Sequence, residues 1–469
     1  MSASMTSNRQ HTAAAAPLNA FQQQALALAA QQSVVGDNER LLSDLRKQGA
    51  QEFELATWPG RKIEQWKYTS VQVLKDYESA VWANGSGVSG EFVSERLIPL
   101  HATRLVFVDG VLDSAASDEM PDGICLFSQA DELAAELIRS NLGKVSGSVS
   151  AARRNLFASL NSAWTQDGLL IHVGRNVVLE KPVYLVYVSS TQSNVVTNHR
   201  TLVVLEQSAN ARIIEHFVSE DNSVACSSFV NSLTEIQLGQ NAHLHHTRIN
   251  LEHESAAHIG AVHVNLMRDA VLKGFTLSEG SKLKRLDYQL NHCGQGASLN
   301  FDGVYLARHN QLVDYHTCIE HRVPNCTSQQ VFRGIVGDKA KAVFNGRIHI
   351  FEDAQKTLAE MSNRNLLTSN TAEINTKPEL EIYADDVKCA HGATISQLDE
   401  TALYYLQSRG ISPSQARMML SFGFINELLS SVPDETLQDW LESWLRDRFS
   451  EDRSLVSDVR SLSASGAGN

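Results

Sequence analysis

Cys389 and His391, in KCAHGAT near the end of the strand-rich region, are the residues most suited to chemistry. On a strand, positions two apart face the same side. A thiolate and an imidazole projecting together suit zinc, copper(I) or iron–sulfur ligation. Lys388 would lower the thiol pKa if it lies close. The plain alternative is a buried structural cysteine beside a turn histidine. Two ligands do not complete a four-coordinate site, so donors must come from a second chain or a transient substrate.

Three other groups compete with this pair. His243, His245, His246, His253, His258 and His263 form a histidine-rich stretch. Metal binding and solvent-facing strand histidines both account for it. NHCG and YHTCIEHRVPNC supply His292, Cys293, His316, Cys318, Glu320, His321 and Cys326. His316, Cys318 and Glu320 would share one strand face, although small cysteines buried in a core explain the same pattern. Asp385-Asp386 suggests the carboxylate pairs of polysaccharide-cleaving enzymes. Adjacent strand residues point opposite ways, however, so these two cannot act jointly without a bend. No Ser-His-Asp order, phosphate loop or HExxH is present. GSGVSGEF near Gly85 has no clear preceding strand and reads as a linker.

The elements that must position these residues fall into three zones. Residues 20–103 read as an N-terminal helical domain with a linker: AFQQQALALAAQQ and LLSDLRKQGAQEFELA are helix formers at helical spacing, broken by Trp58-Pro59-Gly60. Residues 104–394 read as a β core, in which Val, Ile, Thr and aromatics alternate with polar residues. Helical periodicity returns only within 133–160. Turns followed by alanine recur, at Ala211, Ala242, Ala270, Ala297, Ala340, Ala354, Ala372 and Ala393. Irregular repetition of a turn-alanine-strand unit predicts a β-solenoid whose rungs cover one another. A sandwich is the competing reading. Residues 395–450 read as helical again. Gly410 is expected to cap one helix, Ser412-Pro413 to open a second, and Asp434 to open a third. Residues 1–19 and 451–469 read as disordered ends.

Composition narrows the function classes. A 469-residue chain can bury a large core. The net charge of −13 argues against nucleic acid and anionic membrane as partners. Six cysteines without a CxxC pair fit a reducing cytosol rather than a disulfide framework. No run of 18 apolar residues appears, and the N-terminus lacks a secretory pattern.

FRGIV, AVFNGRI, DAQKT, AEINTKPELEIYADDVKCAHGAT, YYLQSRGI and ARMML-FGF, in that order, resemble the SufB/SufD family of the Suf iron–sulfur cluster assembly system. WKYT at 66–69, after Arg61 and Glu64, resembles an N-terminal signature of the SufD type. ELEIYADDVKCAHGAT departs from the acidic-histidine ending of SufB-type sequences. The resemblance implies a mainly β fold, a right-handed parallel β-helix flanked by N- and C-terminal α-helical domains. It implies a cytoplasmic, non-catalytic scaffold partnered by a SufB-type paralogue and a SufC-type ABC ATPase, with a homodimer as a further form. It places a transient iron–sulfur cluster, shared with SufB, beside His391 and Cys389, with none held tightly by this chain alone. It assigns ATPase docking to the helix bearing Arg417, Met418, Met419, Phe422 and Phe424. Two other classes remain open: a carbohydrate-active β-helix enzyme, and a homodimeric metal-binding module built on the histidine-rich stretch.

Overall fold

The computed structural model describes residues 17–31, 39–85, 87–147, 155–221 and 227–451. Most of the expected disordered lead and tail, and Cys226, lie outside the described residues. The β region winds as a parallel solenoid with two long faces, each a 10-stranded sheet. Along most of its length each strand pairs in parallel with the strand two before it, so the chain alternates between the faces. The first sheet runs through Val195–Leu205, Ser228–Leu238, Ala257–Leu266, Leu283–His292, Leu312–His321 and Lys341–Ile350 to Glu373–Ile382. The second runs through Asn210–Ser219, His243–Leu251, Val271–Glu279, Ser298–Ala307, Thr327–Val336 and Leu358–Leu367 to Lys388–Ser396. The sandwich is excluded, because successive rungs pair in parallel rather than by antiparallel hairpins.

The corners explain the alanine pattern and its irregularity. At one edge of the solenoid the backbone turns through left-handed residues at Ser208, Asn241, Asp269, Gly296, Asn325 and Lys356. The buried residue that follows each is Ala209, Ala242, Ala270, Ala297, Cys326 and Thr357. Each carbonyl in this column accepts from the strand-opening N–H one rung later, for example His243 N to Ala209 O at 2.9 Å and Leu358 N to Cys326 O at 3.1 Å. A small side chain is required because the next rung stacks directly upon it. Cys326 therefore fills the corner at which the alanine series skips a rung. Ala211 lies one step inside its strand, Ala340 belongs to the opposite edge, and Ala393 is exposed in mid-strand.

Between the sheets Phe332 lies with its ring centroid 5.3 Å from Phe301, 5.3 Å from Tyr315 and 5.0 Å from Phe344. Its neighbour in register is Gly303, where a Cβ would come within 2.2 Å of the ring. Helices cover each sheet from outside. Phe21, Trp66, Phe157 and Trp164 pack on the first sheet through Phe229, Ile259 and Leu283. Ile425, Leu429, Leu437, Leu441 and Leu445 pack on the second through Ile249, Leu277, Val304 and Ile335. The N-terminal helices are Ala20–Gln31 and Glu39–Leu55, and the fully buried Leu156–Trp164 lies against them. The C-terminal helices are Glu400–Ser408, Pro413–Leu429 and Glu435–Ser450. Gly410 turns at φ +87, Ser412 forms a capping box with Gln415, and the Asp434 side chain accepts from Leu437 N at 3.0 Å, as the sequence predicts.

Several buried histidines are held neutral. Burial lowers His199 to about 3, His216 to about 4 and His292 to about 4. The unfolded chain takes up these protons near pH 6.5 and the folded chain does not. Their contribution is therefore complete above about pH 6.5 and is lost as pH falls toward 4. At pH 5 each should cost roughly 1–2 kcal/mol. The thermal midpoint should accordingly drop markedly between pH 7 and pH 5. A midpoint that stays level across that interval would show that these imidazoles are protonated in the native state.

Candidate functional site

The solenoid ends on a bare rung. Among the described residues, Glu373–Ile382 has a strand neighbour only in Lys341–Ile350, and Lys388–Ser396 only in Leu358–Leu367. The outward edge of each thus carries unpaired backbone donors and acceptors. Ile382, Tyr383 and Ile395 are exposed beside it, Tyr383 at 62%.

Cys389 and His391 sit on this rung with the predicted same-face geometry. Cys389 is in register with Ala359, and His391 with Met361. Ala359 and Met361 are buried core positions. The two side chains therefore continue core-facing columns at the level where, among the described residues, no further rung covers them. Cys389 is half-buried and packs against the core, whereas His391 is exposed. Burial raises the Cys389 thiol, so the expectation that Lys388 would lower it is not met: desolvation by the core dominates. Among the described residues no group of three or more His, Cys, Asp or Glu is arranged to hold a metal ion. The pair offers two donors on a surface whose strand edges are open.

The histidine-rich stretch is dispersed. His243 and His245 face outward and are half-buried. His246 points inward to Glu215 at 3.1 Å. His258 lies inside the solenoid against Ser232 at 2.7 Å and Glu252. His253 bonds Ser255 at 2.7 Å. Asp385 and Asp386 are exposed in the last corner, where Asp386 O accepts from Lys356 N and Asp386 N donates to Gln355 Oε1. His316, Cys318 and Glu320 do share the outer face of the first sheet. Cys318 is half-buried there, not in the core, whereas Cys326 is a core residue.

The helix Pro413–Leu429 divides its apolar residues. Ile425, Leu428 and Leu429 are buried, Met418, Phe422 and Phe424 pack partly against the same cluster, and Met419 is 53% exposed. Arg333 fixes this helix to the solenoid: it donates to Phe424 O, pairs with Glu427 and lies 5.5 Å from the Phe424 ring centroid. Arg417 is half-buried. The sequence predicts the neighbouring helix Glu400–Ser408 and its end at Gly410, but not its surface: it buries no side chain. It presents Tyr404 at 74% and Tyr405 at 57% exposure. The signal available was YYLQSRG itself, two aromatics on a helix with little apolar periodicity.

The WKYT segment straps the N-terminal region to the first sheet. Trp66 is buried with the Arg285 guanidinium carbon 3.8 Å from its ring centroid. Arg285 Nη1 donates to Gln65 O at 2.7 Å and to Asp314 Oδ2 at 2.9 Å, and Thr69 Oγ1 donates to that same carboxylate oxygen.

Fold and site define a helix-flanked parallel β-solenoid protein with one open end bearing a thiol and an imidazole. Two family models match the chain: "SUF system FeS cluster assembly, SufBD core domain" over residues 187–424, and "SufBD protein N-terminal region" over 19–185. The iron–sulfur cluster assembly protein SufD of Escherichia coli strain K12 is 32% identical over 387 residues, covering 81% of this chain and 86% of that protein. An iron–sulfur cluster assembly SufBD family protein of Synechocystis is 30% identical, covering 88% of this chain and 92% of its own length. A chloroplastic protein of Arabidopsis thaliana, ABCI7, is 28% identical over 85% of this chain and 84% of its own. The chain belongs to the SufBD family of iron–sulfur cluster assembly proteins.

Proposed function

We propose that this chain is a non-catalytic scaffold that completes a cluster-assembly site only when its open solenoid end is covered by a SufB-type paralogue. The observation that carries this reading is the bare last rung, with unpaired edges on both sheets and His391 and Cys389 beside them. A second strand-edged protein supplies both the missing hydrogen bonds and the missing donors. The cluster is cargo, built from iron and sulfide brought to the interface. His391 is its ligand or acceptor, and Cys389 acts beside it. A cytoplasmic setting fits the five described cysteines, all free thiols. No described helix is long and apolar enough to cross a membrane.

The test is co-expression with SufB-type and SufC-type partners, followed by size exclusion with light scattering and assay of iron and acid-labile sulfide. A heterodimer through the bare rung is expected, and a homodimer when the chain is alone. A chain that stays monomeric at high concentration and never binds the paralogue would sink this reading.

The ATPase is placed on the C-terminal helices. A nine-residue helix with no buried side chain is a poor element in isolation, and Tyr404, Tyr405 and Met419 offer the aromatic and adaptable surface that interfaces favour. Arg417, Met418, Phe422 and Phe424 border it. Tyr404→Ala or Met419→Glu should weaken SufC binding by on the order of 1–3 kcal/mol with unchanged circular dichroism. Phe424→Ala is expected to loosen the helix as well, because Arg333 grips it. Full affinity in both surface variants would move the ATPase elsewhere.

A further inference from the structure

A cleft of about 380 Å³ opens on the outer face of the first sheet, under the segment Ile63–Trp66, and reaches Glu379 on the last strand of that sheet. His316, Cys318, Asn345 and Arg347 are part of its lining. Gln289, Cys318 and Arg347 stand side by side in register on three successive strands. Arg347 Nη1 donates to Cys318 Sγ at 3.2 Å. The guanidinium is fixed from behind by Glu381, to which its Nε donates at 2.8 Å, and Glu320 lies 3.8 Å from Nη1.

This setting separates Cys318 from the other described cysteines. Burial raises the thiols of Cys125, Cys293, Cys326 and Cys389. Cys293 also has a guanidinium beside it, that of Arg322, but burial prevails there; Cys318 meets its charged donor in an open cleft, the arrangement that favours a thiolate. The nearby imidazoles are engaged: His316 with Asp314 at 3.0 Å, and His349 with Glu381 at 2.9 Å. Acyl or phosphoryl transfer would want a mobile proton there. Sulfur exchange does not, since its leaving group departs as a thiolate.

We propose that Cys318 is a nucleophilic thiolate that exchanges with the S–S bond of a small disulfide or persulfide admitted to this cleft. The Cys318 sulfur forms a bond to one donor sulfur while the donor S–S bond breaks. Its electron pair leaves with the departing thiolate, which solvent protonates. A disulfide yields a mixed disulfide on Cys318, and attack on the outer sulfur of a persulfide yields Cys318 persulfide. The donor is itself the oxidant. Arg347 is a positioning residue that stabilises the attacking sulfur.

The test uses the full chain carrying Cys226→Ser, treated with limiting 2,2′-dithiodipyridine and mapped by peptide mass spectrometry. Cys318 should react at least about tenfold faster than Cys125, Cys293, Cys326 or Cys389. Arg347→Met should slow it by about tenfold and move the rise in rate to higher pH. Arg347→Lys, which keeps the charge without the fork, should fall between and covers the case in which the methionine variant misfolds. Parallel reactions with glutathione disulfide and glutathione persulfide identify the source, through a glutathionyl adduct or a single added sulfur. Reaction of Cys318 no faster than Cys389, an unchanged pH profile in both Arg347 variants, or no adduct from either glutathione donor would each overturn the assignment.

Discussion

His391→Ala should lower the iron and acid-labile sulfide recovered per SufB–SufC-bound complex by about tenfold or more, while the complex still forms. Loss even of a residue that only orients a metal ligand commonly costs 10–100-fold, so removing the proposed donor should cost no less. His391 is exposed on the last rung. Its replacement should therefore leave the melting temperature of the isolated chain unchanged, which separates a lost donor from a lost fold. Cys389→Ser is expected to be milder. Burial favours its neutral thiol, a poorer ligand until a partner reshapes the site. Wild-type cluster yield from His391→Ala would remove that imidazole from assembly.

Glu252→Ala is expected to be the most destabilising single change in the solenoid interior, costing about 3–5 kcal/mol. Lys284 Nζ donates to Glu252 Oε2 at 2.6 Å and to Asn250 O at 3.1 Å, with both side chains almost wholly buried. The other Glu252 oxygen meets His258, whose Nε2 lies 2.7 Å from Ser232 Oγ. Ser232 in turn accepts from Arg248, which pairs with Glu215 at 3.2 Å. Burial by itself would raise the Glu252 carboxyl, but Lys284 and His258 hold it well below the ordinary carboxylate range. Its contribution is thus present above the unfolded value near pH 4 and fades as pH falls further. Truncation strands a buried ammonium, and that penalty is the main loss. The double variant Glu252→Ala with Lys284→Met should recover much of it. Chemical denaturation that finds the single variant within about 1 kcal/mol of wild type would show that water reaches Lys284 inside the solenoid.

Much of the architecture is legible because it is repetitive. Alternation identifies strands, and the turn-alanine unit identifies rungs, since a corner that stacks on its neighbour tolerates only small residues. Helix ends were equally plain at Gly410, Ser412 and Asp434, where the capping chemistry is local. The corner taken by Cys326 was less visible, because the size of the side chain matters there rather than its type.

The sequence by itself determined which residues could share a face: Cys389 with His391, and His316 with Cys318 and Glu320. The two-residue period of a strand requires it. It also carried the family resemblance in FRGIV, and the structure gives those residues physical roles. Phe332 fills the core, and Arg333 clamps the C-terminal helix. Only the tertiary structure decided what each face meets. Stacking of rungs buried His258 against Glu252 and left His391 exposed, although both lie in strand-like contexts. It brought Arg347 to Cys318 from the next strand, 29 positions along the chain. Such differences depend on which rung is last and which sheet a helix covers, both fixed by contacts between residues remote in the chain.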